Sequence, residues 1–149
     1  MQINILICQY LEEKYQQKAL LPSNHQQRTL SLQVSSIVSS SLQPLHMNSI
    51  LKLIQTTIKS EQSLLWAQRQ IEKGFFALEN LLKNYARRYA TGEVLSMADV
   101  FLAPQIAVAR IRFNIDMAKF PTLDRLFQTY KTLPEYLASC PERQPDAEH

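Results

Sequence analysis

The sequence predicts an all-α domain, a bundle of about six helices. Three observations predict it. Apolar residues recur at steps of four and three through Ile71, Phe75, Leu78, Leu82, Tyr85 and Tyr89, one continuous helix face. No segment alternates polar and apolar residues for long enough to build a sheet. The 149 residues hold seven prolines and two glycines, Gly74 and Gly92, which suits helices with firm stops and leaves little for tight hairpins.

The elements follow in order. Ile3, Leu6, Ile7, Tyr10 and Leu11 have helical spacing, and Glu12 and Glu13 come late, where a helix dipole prefers cations, so this first helix ends near Tyr15. Gln16 to Asn24 is a connector closed by Leu20-Leu21-Pro22. Asn24 and Gln27 can form a capping box for a helix with the stripe Leu30, Val34, Ile37, Val38 and Leu42. Its other positions carry Ser31, Ser35, Ser36, Ser39, Ser40 and Ser41, either a solvated face or small side chains that admit a close neighbour. Pro44 kinks this helix, which resumes from Met47 to Lys59. A polar link, Ser60 to Ser63, precedes a long helix from Leu64 to Tyr89, the spine of the domain, with Gly92 as a left-handed stop.

Ser96 and Asp99 have capping-box spacing, with Leu95 and Val100 placed as a hydrophobic staple. The helix they open, Met97 to about Phe113, is apolar nearly all round and is expected inside the bundle. Arg110 and Arg112 fall at its C-terminal end, where cations suit the dipole. Pro121 opens a helix with Leu123, Leu126, Phe127 and Tyr130 on one face. Pro134 starts a short segment to Ser139, and the charged tail from Cys140 to His149 is expected to hug the surface or fray.

Composition narrows the functions. Apolar residues are 46% of the chain and charged residues 19%, a globular balance. Two scattered glycines exclude a P-loop and a dinucleotide fingerprint. Cys8 and Cys140 are too few and too far apart for a cysteine-rich metal site or a disulfide framework. No metal is expected, and the compartment is expected to be reducing and cytoplasmic. The charge is +3 and the pI near 8.9, with the basic residues spread along the chain, so nucleic-acid binding is not expected. No apolar run approaches the ~20 residues of a membrane span, and no basic residue precedes the short run Ile3 to Ile7. Neither a membrane partner nor a signal peptide is expected.

Several segments together resemble one family. They are Tyr10-Leu11-Glu12-Glu13-Lys14-Tyr15, Leu20-Leu21-Pro22, Ile37 through Leu45 with its Gln43-Pro44-Leu45, and Trp66-Ala67-Gln68. Ile71-Glu72-Lys73-Gly74-Phe75, Tyr89-Ala90-Thr91-Gly92, Met97 through Gln105, Phe120-Pro121-Thr122-Leu123 and Arg143-Gln144-Pro145-Asp146 follow. In this order they resemble the zeta class of glutathione transferases, the class that includes maleylacetoacetate isomerase. The capping box alone indicates glutathione transferases generally; the Gln-Pro-Leu and Arg-Gln-Pro-Asp segments narrow it to the zeta class.

The resemblance implies a glutathione transferase C-terminal-like bundle over residues 24–149. Residues 1–23 then correspond to the last helix of the family's thioredoxin-like domain plus a linker. That domain carries a Ser-Ser-Cys motif whose serine stabilises the glutathione thiolate, and the chain has no Ser-Ser-Cys. A Gln-Ser pair of the family, which holds the γ-glutamyl end, aligns with Ile3-Asn4. Four residues are implied at glutathione: Gln43, Met47, Asn48 and Ser49. Met47 stands where the family has asparagine, and Gln43 reads equally as a polar bridge at the Pro44 kink. Arg112 is implied to hold a substrate carboxylate, against the plainer reading of a surface cation at a helix end.

The implied activity is glutathione-dependent cis–trans isomerisation of maleylacetoacetate to fumarylacetoacetate, a step of tyrosine and phenylalanine catabolism, together with glutathione transfer. In it the thiolate adds to the conjugated double bond, the resulting single bond rotates, and the thiolate leaves. Glutathione is the implied cofactor and a small dicarboxylate-type compound the implied substrate. With no activating serine, the isolated chain is expected to be weakly active or inactive. The alternative is a non-catalytic helical module. In either case a homodimer, or a heterodimer with full-length subunits, is expected.

Overall fold

The computed structural model describes residues 3–15, 17, 19–57, 60–145 and 147, with the backbone alone at residues 3, 4, 46, 60 and 61. Among them form α1 (Ile3–Lys14), α2 (His25–Ser36), α3 (Asn48–Thr57), α4 (Ser60–Leu82), α5 (Met97–Phe113), α6 (Pro121–Tyr130) and α7 (Pro134–Ser139), and no strand. The helices outnumber the expected six because residues 24–57 are not one kinked helix; Lys59, its expected end, lies outside the described residues. After α2 the chain passes through a π-helical segment, Ile37–Leu42, and a 3-10 turn, Gln43–His46, before α3 begins.

Serine hydroxyls account for this break. Ser35 donates to the Ser31 carbonyl at 2.9 Å, and Ser39 and Ser40 donate to the Ser36 carbonyl at 3.3 and 2.6 Å. Such back-bonds compete with the helical ladder and bend it. Pro44 then withholds a donor from the last turn. Both readings of the serine face hold, on opposite sides. Ser31, Ser35 and Ser39 are buried, while Ser36, Ser40 and Ser41 are exposed. The buried ones recur every four residues and let α2 lie close against α5.

The core is built on α4. Ala67, Ile71, Phe75, Leu78 and Leu82 are all fully buried. The helix starts at Ser60, so the expected polar link is helical, with Ser63 buried. It ends at Leu82 and not at Tyr89. Tyr85 is exposed, and Tyr89 is buried from a loop in which its amide donates to the Gly92 carbonyl at 2.9 Å. The physical reason is tertiary. Ala90 N–H donates to the Asp99 carboxylate at 2.8 Å, and Arg125 donates to the Arg87 carbonyl, so the chain is held in a loop where periodicity alone continues a helix. Gly92, at φ +148°, serves this loop and is no helix stop.

The N-terminus of α5 is satisfied completely. Met97 N–H donates to the Leu20 carbonyl at 2.9 Å, and Ala98 N–H to Ser31 Oγ at 3.0 Å. Asp99 N–H and Val100 N–H reach the Ser96 carbonyl at 3.0 and 3.4 Å. The expected Ser96–Asp99 box forms, with Ser96 N–H donating to Asp99 Oδ2 at 2.8 Å. Four orphan amides thus find partners on three segments. α5 is not buried all round, however. Val100, Pro104 and Ile111 are exposed at steps of four and seven, leaving an apolar stripe outward.

Carboxylates fasten the remaining helices. Glu79 of α4 accepts Thr122 N–H and Leu123 N–H at 2.9 and 3.1 Å, capping α6 just after Pro121. Glu12 of α1 accepts Leu20 N–H and Leu21 N–H at 2.7 and 2.9 Å. Its late position in α1, unfavourable for the dipole, is thereby explained. α1 turns Ile5 and Cys8 towards the core and leaves Leu6, Ile7 and Tyr10 exposed. Asn24 caps α2 as expected, accepting Gln27 N–H at 3.1 Å.

Candidate functional site

The residues assigned to a site fall into two groups. Ser96 and Asp99 are structural. Asp99 is 2% exposed and its carboxylate accepts four hydrogen bonds. Oδ1 takes Ala90 N–H at 2.8 Å and Tyr130 Oη at 2.6 Å; Oδ2 takes Ser96 N–H at 2.8 Å and Ser96 Oγ at 2.9 Å. Burial, with the Asp99 carboxylate second, holds the Tyr130 hydroxyl well above the usual tyrosine range. The cluster joins the 89–92 loop, α5 and α6. Sequence reasoning missed Tyr130 as a member because it lies 31 residues from Asp99.

The second group lies at the opposite end of α5. Gln43 is half-buried where the π-helical segment passes into the 3-10 turn, and its backbone N–H donates to the Val38 carbonyl. A π segment at this place is a feature often met beside functional sites. Met47 is extended, with φ −66° and ψ 136°, its carbonyl accepting Leu51 N–H at 3.0 Å. Asn48 opens α3, and Asn48 and Ser49 are exposed.

Arg112 reaches this segment. Its Nη2 donates to Asn48 Oδ1 at 2.7 Å across 64 residues of sequence. The fold therefore brings two of the assigned residues into contact. Gln68 of α4 donates to the Phe113 carbonyl at 2.8 Å and steadies the end of α5 beside Arg112. Gln68 had no sequence signal beyond its place in Trp66-Ala67-Gln68. The neighbouring Arg110 is engaged otherwise, paired with Asp124 and set 5.4 Å from the Phe127 ring centroid.

Residues 43–49 offer neutral hydrogen-bonding side chains from Gln43, Asn48 and Ser49, and Asn48 among them touches the Arg112 guanidinium. Such donors fit the peptide and carboxylate parts of a small anionic peptide. The chain's own thiols are not part of the group, and a thiol nucleophile would have to come from elsewhere in the chain or from a ligand. Neither cysteine takes that role: burial raises the Cys8 thiol, and Cys140 Sγ donates to the Tyr136 carbonyl at 3.4 Å. Among the described residues no group of three or more histidine, cysteine and acidic residues is placed to hold a metal. No described helix is long and apolar enough to cross a membrane. Two surface grooves, about 440 Å³ beside His25 and Tyr85 and about 700 Å³ along Trp66 and Phe76, are lined by none of the assigned residues.

Comparison with known proteins agrees with this architecture. Residues 42–134 match the family model "Glutathione S-transferase, C-terminal domain". The chain is 45% identical to a zeta-class glutathione S-transferase of Euphorbia esula, over 95% of this chain and 63% of that protein. It is 38% identical to a maleylacetoacetate isomerase of Rattus norvegicus, over 96% of this chain and 64% of that protein. The chain thus spans a little under two thirds of these relatives. A crystal structure of maleylacetoacetate isomerase from Anaeromyxobacter dehalogenans, with bound dicarboxyethyl glutathione and citrate in the active site, superposes with a TM-score of 0.92 at 32% identity. That match covers 97% of this chain and 64% of the other. By sequence and by fold alike, the chain belongs to the zeta class of the glutathione transferases.

Proposed function

We propose that residues 24–149 form the helical half of a glutathione-dependent isomerase site, with residues 1–23 as the last helix of a preceding thioredoxin-like unit and its linker. The reaction class is cis–trans isomerisation of a maleylacetoacetate-type dicarboxylate, with glutathione transfer as a companion activity, in the cytoplasm. One observation carries the reading: Arg112 hydrogen-bonds Asn48, so a cation for a substrate carboxylate stands against the segment assigned to glutathione. The ligands in the related crystal structure, dicarboxyethyl glutathione and citrate, are rich in carboxylates and support it.

The residues divide the work by chemistry. Gln43 and Ser49 offer uncharged hydrogen bonds suited to the peptide groups of glutathione. Met47 stands in the extended stretch between them; its N–H and carbonyl are engaged by Pro44 and Leu51 at 3.3 and 3.0 Å, so what it offers is its exposed thioether side chain. Arg112 supplies a planar, permanently charged fork for a carboxylate. Bound glutathione would supply the thiolate that adds to the double bond and leaves again. The 149 residues contain no Ser-Ser-Cys to lower that thiol's pKa. The reading therefore expects weak turnover or none from this chain alone.

The test is isomerisation of maleylacetone by the purified chain with glutathione, after circular dichroism establishes that it is helical. Little or no turnover alone, with dicarboxylate binding that depends on Arg112, is the expected result. Turnover at the rate of a full-length zeta-class enzyme would overturn the account of thiol activation.

A second reading, a helical module that pairs with its own copies or with full-length subunits, is favoured by the exposed apolar residues of α1 and α5. Leu6, Ile7 and Tyr10 on α1, and Val100 and Ile111 on α5, are the kind of surface that seeks cover. Light scattering of the chain, alone and mixed with a full-length subunit, tests it. A strict monomer in both cases would dispose of it.

A further inference from the structure

We infer that the outward face of α4 between Gln62 and Phe76 is a docking surface for an acidic amphipathic helix of a partner protein. The face stands apart from the glutathione reading above, since none of the residues assigned there lines it.

The two sides of α4 differ in character. Inward, Ala67, Ile71, Phe75 and Leu78 are fully buried and make the helix a rigid support. Outward, Gln62, Leu65, Arg69, Glu72 and Phe76 follow one another at steps of three and four, a seam of the kind on which a second helix packs at a shallow angle. The seam is apolar towards both ends. Leu65 is 54% exposed and Phe76 48%, and Trp66, next to Leu65, is half-buried. The Phe76 ring is held against Phe120, with centroids 4.8 Å apart, so it is set in place before any partner arrives. Aromatic and arginine side chains on a rigid support are the ones that anchor protein interfaces.

The middle of the seam is cationic. Arg69 and Lys73 are exposed and one turn apart, and neither has a hydrogen bond or ion pair among the described residues. Like charges at this spacing work against a helix. Glu72, the acid between them in sequence, is bonded to Lys119 at 2.7 Å. Two carboxylates one turn apart on a partner helix answer Arg69 and Lys73 directly.

Shape selects the kind of partner. The groove of about 700 Å³ is lined by α4 residues alone, and Gln62 and Phe76 are about 21 Å apart along the helix. A small ligand takes a site that encloses most of it, and a trough walled by one helix does not. About four turns of a second helix span it, with apolar side chains over Leu65, Trp66 and Phe76 and carboxylates over the two cations.

Trp66 is the chain's single tryptophan, so its fluorescence reports on this face. The full chain is titrated with a synthetic helix of about four turns, with leucines towards both ends of one face and two glutamates one turn apart between them. A second peptide carries glutamines in their place. The glutamate peptide should shift Trp66 emission saturably and bind about ten-fold more tightly than the glutamine peptide, an advantage lost at high salt. Arg69→Gln and Lys73→Gln should each cut that advantage about three-fold, and the double variant should bind both peptides alike. Leu65→Ser should weaken both peptides. The three side chains are exposed, so circular dichroism and melting temperature should match the parent.

No saturable change at Trp66, or equal affinity of the two peptides for the parent, overturns the inference. A preference for the glutamate peptide that survives the double variant also overturns it, and places the peptide on another face such as that of α1 or α5. If the parent self-associates in sedimentation and Leu65→Ser or Arg69→Gln returns it to a monomer, the face belongs to a second copy of the chain and the acidic partner is wrong.

Discussion

Replacing Asp99 by asparagine changes one atom and sets an N–H group against another N–H. In the parent, four donors converge on the two carboxylate oxygens at 2.6 to 2.9 Å, and the residue is 2% exposed. If the asparagine oxygen stays with Ala90 N–H and Tyr130 Oη, its NH2 group faces Ser96 N–H. The Ser96 hydroxyl can turn to accept, but the backbone amide cannot. One buried amide is then unsatisfied, at a cost of about 1–3 kcal/mol, and the surviving bonds lose their charge assistance. The expected loss is about 3 kcal/mol for Asp99→Asn. Asp99→Ala abandons all four donors, and roughly 5 kcal/mol is then a large part of a typical domain's stability. Tyr130→Phe removes one donor and leaves the carboxylate three, so it should cost about 1 kcal/mol. Urea denaturation followed by circular dichroism measures the order Tyr130→Phe, Asp99→Asn, Asp99→Ala. An Asp99→Asn protein within about 0.5 kcal/mol of the parent would refute the reasoning, since that is the scatter of an uninvolved surface change.

The remaining predictions concern titration and packing. The Tyr130 hydroxyl is held above its ordinary range by burial and Asp99, so the folded state keeps its proton more tightly than the unfolded state. Its contribution is intact below pH about 10 and is lost as pH rises beyond, so Tyr130→Phe should flatten the alkaline fall in stability; an unchanged slope above pH 10 counts against it. A methyl at Gly74 would lie 2.3 Å from Cδ2 of the fully buried Leu42. Overpacking of about 1–3 kcal/mol should outweigh the ~1 kcal/mol helix preference of alanine, so Gly74→Ala should lower the melting temperature. Glu12→Ala frees two connector amides and should cost about 1–2 kcal/mol, with hydrogen exchange accelerated at Leu20 and Leu21.

The helical architecture was readable because it rests on local signals. The four-and-three stripe through Ile71, Phe75, Leu78 and Leu82 needs only helix geometry, and the Ser96–Asp99 box needs only three-residue spacing. The errors came where a distant group overrode local periodicity. Tyr85 and Tyr89 continue the apolar stripe, but Asp99 claims the Ala90 amide and the helix stops at Leu82. The serine face was ambiguous for a similar reason. Which serines are buried depends on where α5 lies, and only Ser31 has its hydroxyl at the Ala98 amide. For the candidate site, resemblance named Arg112 and residues 47–49 as separate segments. Their contact follows from the way α3 and α5 both pack on α4, and it has no signature in either segment.

These two lessons bear on one another through α5. The helix has 17 residues, about 25 Å at the ordinary helical rise, and Arg112 lies near one end while Asp99 lies near the other. Its N-terminus is clamped by Leu20, Ser31 and the Asp99 box; its C-terminus is held by Gln68. A rod fixed at both ends has little freedom in its last turn, from which Arg112 reaches Asn48 at 2.7 Å. The buried capping network is therefore part of what places the last turn of α5, Arg112 included. A destabilised but folded Asp99→Asn protein should show the consequence: binding of the dicarboxylate maleate weakened and the Arg112 guanidinium freer by NMR of its side-chain N–H groups, with residues 110–113 otherwise helical. A parent-like guanidinium signal in that variant would mean that the contacts at the C-terminal end suffice, and that the two ends of α5 act independently.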